Sequence, residues 1–207
     1  MNHDLLDNNK VFLQGKVASE PTFSHEVFDE AFYNLNLAIP RLSGQEDIIP
    51  ITISDRLLAD KTLKIGDLIA IKGQFRSYNK IEDEKSKLIL TVFVRELCDY
   101  DQNANPNTIE IFGYICKSPI YRTTPFNREI TDMLMAVNRS YNKSDYIPCI
   151  TWGRNARFVG SMPVGTKLEV VGRIQSREYL KKYNETDEPV KKIAYEISVS
   201  KVNTCEN

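Results

Sequence analysis

The sequence predicts an all-β chain folded as two tandem five-stranded barrels, and three observations carry that prediction. The first is an internal repeat close to half of the 207 residues. Shifting the chain by 98 lays Val11, Leu13, Gly15 and Pro21 over Ile109, Ile111, Gly113 and Pro119, Ala38 and Arg41 over Ala136 and Arg139, and Ile49, Pro50 and Arg56 over Ile147, Pro148 and Arg154. After one inserted residue Gly66 and Gly73 fall on Gly165 and Gly172, a match of punctuation residues that marks a duplication. The second is alternation of apolar and polar residues with frequent β-branching, as in Leu88 to Val94 and Ala194 to Val199, which is the period of a half-buried strand. The third is a single helical stretch at the same place in each half.

In order, repeat one reads as strands near 10–18, 31–41, 48–54, 67–77 and 86–97. Repeat two reads as strands near 108–116, 129–139, 146–152, 167–177 and 190–202. The helical stretches are Asp55 to Lys64 and Arg154 to Met162, each ending shortly before a Gly that can open the next strand. The join lies in Asp99 to Asn107, where Asp, Asn, Gln and Pro cluster without apolar periodicity, so the domains are read as 1–103 and 104–207. Gly15, Gly113, Gly73 and Gly172 interrupt apolar alternation, where glycine marks a bulge or a barrel corner. Five strands with a helix between the third and fourth is the order of the OB-fold, whose face and loops bind oligonucleotides or oligosaccharides.

Composition narrows the class. With 27 basic and 28 acidic residues and 42% apolar positions the chain is no disordered polyelectrolyte. No apolar run nears the roughly 20 residues that span a bilayer, and Met1 to Asp4 lack an export signal, so a cytoplasmic, nucleoid-associated location is expected. Cys98, Cys116, Cys149 and Cys205 have neither disulfide nor metal spacing and read as reduced thiols. Histidine occurs only at 3 and 25, no phosphate-cradling or nucleophile motif is present, and Glu82-Asp83-Glu84 beside Lys85 reads as a solvated turn. Neither an enzyme nor a cofactor nor a metal is expected. Residues 1–103 carry a net −5 and residues 104–207 a net +4, so the near-neutral total hides a polarised molecule whose second half suits phosphate.

Repeat two resembles the bacterial single-stranded DNA-binding protein family. The likeness rests on Ile109-Glu110-Ile111-Phe112-Gly113 with Pro119 and Arg122, on Ala136-Val137-Asn138-Arg139, on Tyr146 through Ala156, and on Val170-Val171-Gly172-Arg173 leading to Arg177 and Tyr179. The family's base-stacking places match Tyr141, Tyr146, Trp152 and Tyr179, and an aromatic face stacks any base for about 1–3 kcal/mol. The resemblance implies phosphate contacts from Arg122, Arg139, Arg154, Arg173, Arg177, Lys181 and Lys182, with Tyr183 as a further ring in the loop between the last two strands. Repeat one has Ser43, Ile48 and Ser54 where repeat two has Tyr141, Tyr146 and Trp152, and Lys80 where it has Tyr179, so its stacking platform reads as lost.

Two functions follow. The first is sequence-independent binding of single-stranded DNA, or of single-stranded RNA, which shares its phosphates and stacking faces, in replication, recombination or repair. The alternative, through likeness to the primosomal replication protein N group, is an interaction module that binds replication or recombination proteins through acidic repeat one. Replicative members end in an acidic, aromatic tip, whereas the sequence ends Lys201 to Asn207 without one, so partner recruitment is expected to use another surface or to be absent. Members place four OB-folds around DNA, so two chains of two folds imply a homodimer.

Overall fold

A computed structural model describes residues 7–58, 61–82, 85–181 and 188–205. Twelve strands are present among them: β1 (Asn9–Val17), β2 (Thr22–Val27), β3 (Glu30–Pro40), β4 (Glu46–Ser54), β5 (Leu68–Glu82), β6 (Lys85–Cys98), β7 (Asn107–Ile115), β8 (Ile120–Thr123), β9 (Glu129–Arg139), β10 (Lys143–Trp152), β11 (Lys167–Lys181) and β12 (Val190–Thr204). Helix α1 covers Asp55–Leu58 and α2 covers Gly153–Gly160. The chain is two tandem OB-folds.

In barrel one, β1 pairs with β3, β3 with β4, β4 in parallel with β6, β6 with β5, and β5 returns to β1. Barrel two repeats the circuit through β7, β9, β10, β12 and β11. Closure demands that one strand cross tightly over another, and the four framework glycines sit at those crossings. A Cβ on Gly73 or Gly172 would lie 2.3 Å from the carbonyl oxygen of Phe93 or Ser198, at the register shifts in β5 and β11. No other residue fits without moving the backbone.

Alternating apolar residues fill the interiors, with Leu13, Leu37, Ile51, Ile71 and Phe75 in barrel one and Ile111, Met135, Ile147, Val170 and Ile174 in barrel two. The ten strands read from the sequence are all present. Two more were not anticipated: β2 and β8 are short, lack buried residues and pair only with β3 and β9, so no apolar alternation announces them. The first helix is also shorter than its reading, because residues 61–64 are not helical. Neither helix is long and apolar enough to cross a membrane.

The barrels join edge to edge through β1 and β7, antiparallel from Asn9↔Ile111 to Leu13↔Asn107. The connecting segment is held onto β1 by Gln14, whose side-chain amide donates to the carbonyls of Asp101 (2.7 Å) and Ala104 (3.1 Å).

Candidate nucleic-acid interface

Strand register decides which side chains share a face, because directly paired residues point to the same side of a sheet. Tyr146 pairs with Ala136 and Trp152 with Ile130, and Ile130 pairs in turn with Arg122. In the parallel direction Ile150 pairs with Ser198, and Ser198 pairs with Arg173. Further along β11, Arg177 and Tyr179 keep that parity. Tyr146, Trp152, Ser198, Arg173, Arg177 and Tyr179 therefore lie on one outward face running across β10, β12 and β11.

The rings on it are open. Tyr146 is 45% exposed, Trp152 38% and Tyr179 37%. The indole N–H of Trp152 donates to Ser198 Oγ at 3.3 Å, which tethers the ring over the sheet without covering it. Tyr141 stands at the tip of the β9–β10 hairpin, where it and Asn142 both take positive φ (61° and 55°), a turn that matches the twist of the flanking strands. Its ring projects into solvent, 93% exposed.

The cations divide by partner. Arg122 Nε binds Asp132 at 2.8 Å. Arg177 Nε lies 3.5 Å from Glu196, and its guanidinium is 6.0 Å from the centre of the Tyr179 ring. Arg154, exposed in the first turn of α2, has no carboxylate partner among the described residues. Arg173 Nη1 binds the buried Asp47 of barrel one at 2.9 Å, and Arg139 Nε lies 3.1 Å from the buried Asp145. The backbone of Lys181 ends β11, while its side chain, with Lys182 and Tyr183, lies outside the described residues.

Asp47 and Asp145 belong to a joint between the barrels that sequence reading missed. Asp47 Oδ1 accepts the backbone N–H of Ser176 (2.7 Å), and Ser176 Oγ accepts the N–H of Ile48 (3.1 Å). The mirror contacts are Asp145 Oδ1 with the N–H of Ser77 (2.7 Å) and Ser77 Oγ with the N–H of Tyr146 (2.7 Å). Asn9 and Asn107 complete the frame: each side-chain amide forms two hydrogen bonds to the backbone of Phe75 or Ile174, replacing a ladder peptide where β1 and β7 turn away to pair with each other. All three pairs stand in the repeat register, Asn9 over Asn107, Asp47 over Asp145 and Ser77 over Ser176. Polar residues repeating at strand positions were the available signal.

The two ends of the joint differ in charge. Asp47 is held by Arg173 and by two nitrogens of Arg41. Asp145 has Arg139 alone within ion-pair distance, and its Oδ2 accepts no aligned hydrogen bond. Burial pushes the Asp145 carboxyl above the usual carboxylate range, against the pull of the Ser77 N–H and the nearby arginines.

Barrel one is not without rings. The positions matching Tyr141, Tyr146 and Trp152 are indeed Ser43, Ile48 and Ser54, but a ring has moved to the adjacent strand. Thr52 pairs with Phe93 as Ile150 pairs with Ser198, so Phe93 faces Ser54 where Ser198 faces Trp152. Phe93 packs on Phe32 with centroids 5.5 Å apart, His25 stacks on Phe32 at 4.9 Å, and Arg76 sits 4.1 Å over Phe93. Matching position by position hides an exchange between neighbouring strands: the rings at this place cover each other, while Tyr78 on β5 is 47% exposed.

Residues 106–205 match the model of the Single-strand binding protein family. The C-terminal barrel is similar to that family. Single-stranded DNA-binding protein 1 of Staphylococcus aureus is 34% identical over 80 residues, covering 35% of this chain and 48% of that one. Single-stranded DNA-binding protein A of Bacillus subtilis is 32% identical over 80 residues, covering 35% and 46%. The chain spans about half the length of these curated relatives. The single-stranded DNA binding protein from Thermus aquaticus superposes with a TM-score of 0.74 over 96% of this chain and 93% of that one, at 19% identity, a likeness of fold that embraces both barrels.

Proposed function

We propose that the chain binds single-stranded DNA without reading its sequence, chiefly on the outward face of barrel two, in DNA replication, recombination or repair. The observation that carries this reading is a row of open rings, Tyr146, Trp152 and Tyr179, on one sheet face with arginines between them. Bases lie on the rings, and because every base has a π-face the contact is indifferent to sequence. Arg154 supplies a phosphate contact most readily, since Arg122, Arg139, Arg173 and Arg177 each have a carboxylate within ion-pair distance. Lys181, Lys182 and Tyr183 extend the face along the loop after β11. The chemistry is recognition, with no catalysis and no cofactor. The names of the relatives point to the same ligand.

Two chains would bring four barrels to one strand, and light scattering should return the mass of a homodimer, with a monomer at micromolar concentration contradicting it. The binding test is fluorescence anisotropy of labelled oligo-dT. Trp152→Ala and Tyr146→Ala should each weaken binding by about 1–3 kcal/mol. Unchanged affinity in both variants would dismiss the face as the site.

A further inference from the structure

Between the barrels, at the Asp145 end of the joint, lies a groove of about 300 Å³. Barrel one contributes Gln74, Arg76 and Arg95 from β5 and β6, and barrel two contributes Arg139, Tyr141 and Lys143 from the β9–β10 hairpin. Four cations thus converge, and the one carboxylate at hand among the described residues, Asp145, is wholly buried, with one oxygen bound to the Ser77 N–H and the other 3.1 Å from Arg139. Arg76 donates to the neutral Gln74 Oε1 at 2.9 Å, and Arg95 reaches the same oxygen at 3.4 Å. Arg95 and Lys143 have no carboxylate partner among the described residues. The Nε groups of Arg76 and Arg139 lack hydrogen-bond partners. Burial, with Arg95 and Arg139 close by, brings the Arg76 pKa down to about 10 against the pull of Asp145.

The other end of the joint is the internal control. There the matched positions are Ser200 for Arg95, Gln45 for Lys143 and Ser43 for Tyr141, and Asp47 answers both Arg41 and Arg173. One backbone frame therefore sets two arginines on one aspartate at one end and gathers four cations around one aspartate at the other. Close cations without an anion destabilise a fold, so the arrangement suits a bound oxyanion.

We propose that this groove is a phosphodiester site, through which a bound single strand passes from the ring face of barrel two onto barrel one. Tyr146 on that face is hydrogen-bonded through its backbone to Ser77 of barrel one, so the ring row ends at the groove. The fully open Tyr141 ring at the lip can stack the base attached to the held phosphate. Gln74 and Arg95 also line the next groove, of about 500 Å³, which continues the path along the β1–β7 seam between Lys10 and Lys72 of barrel one and Thr108 and Glu110 of barrel two. The proposal rests on the single-strand reading of barrel two, shares Tyr141 and Arg139 with it, and adds Arg76, Arg95 and Lys143 as the groups that hold phosphate.

The test is the Arg95→Gln/Lys143→Gln double variant of the full chain, titrated with oligo-dT of about 35 nucleotides at several salt concentrations. Each phosphate contact to a single strand contributes about 0.7 to the slope of log K against log salt, so the double variant should lose roughly 1.4. Quenching of Trp152 should persist. An unchanged slope with quenching intact would overturn the groove and leave the ring face standing. NMR of the arginine Nε–H signals supplies the second arm. Movement of the Arg76 signal on adding oligo-dT supports the site even where Trp152 is not quenched, an outcome that would fault the ring face instead. Movement with inorganic phosphate but not with oligo-dT would overturn the proposal in favour of a free-anion site.

Discussion

In barrel two Trp152 and Tyr146 stand open on the sheet, whereas in barrel one Phe32, Phe93 and His25 stack on one another and Arg76 closes over the last ring. The strand plan is the same, as are the crossing glycines and the polar joint, so the difference lies in side chains alone. It teaches that ring count does not measure a stacking surface. A ring offers a platform to a base only if its neighbours leave a face uncovered. Serine beside Trp152 leaves one; phenylalanine and arginine beside Phe93 do not.

Substitutions can break or sharpen this contrast. The largest effect belongs to the joint. Asp47→Ala strands Arg41, Arg173 and the Ser176 N–H, and breaking a buried pair in that way costs about 3–5 kcal/mol of stability. Asp145→Ala should cost distinctly less in the same denaturant titration, since only Arg139 is paired with it and burial already disfavours its charge. Equal losses would mean that the two ends are equivalent. Next come the rings. Phe93→Ala should lower stability by about 3 kcal/mol or more while changing oligo-dT affinity little, the reverse of Trp152→Ala. Matching affinity losses in the two variants would erase the distinction between open and covered rings.

The smallest effect separates the cores. Barrel two buries Cys149 where barrel one has Ile51, and burial, with Glu196 and Cys116 near, pushes that thiol well up. The folded chain then keeps a proton that the unfolded chain releases near the ordinary thiol value of about 8.5. Stability should therefore fall as pH rises above that value, by up to about 1.4 kcal/mol per unit. Cys149→Val should flatten that limb of the pH profile, and an unaltered limb would assign it to other groups.

The fold was legible because closure of a small barrel imposes glycine at fixed crossings, and those glycines repeat with the apolar alternation. Strands β2 and β8 were illegible because they bury nothing and pair on one side only. The face in barrel two could be read from residue types, since Tyr146 and Trp152 share strand parity. The joint was missed although its polar residues repeat at strand positions, because Asp47, Asp145, Ser77 and Ser176 read as ordinary surface residues until the second barrel removes water from them. Phe93 escaped for another reason: it pairs sideways across strands, which no comparison along the chain detects.

The most direct test uses the single tryptophan. Oligo-dT titrated into the protein should quench Trp152 fluorescence to saturation, with an affinity that falls steadily as salt is raised. Saturable oligo-dT binding that leaves Trp152 emission unaltered would contradict the central claim that this ring is a platform for bases.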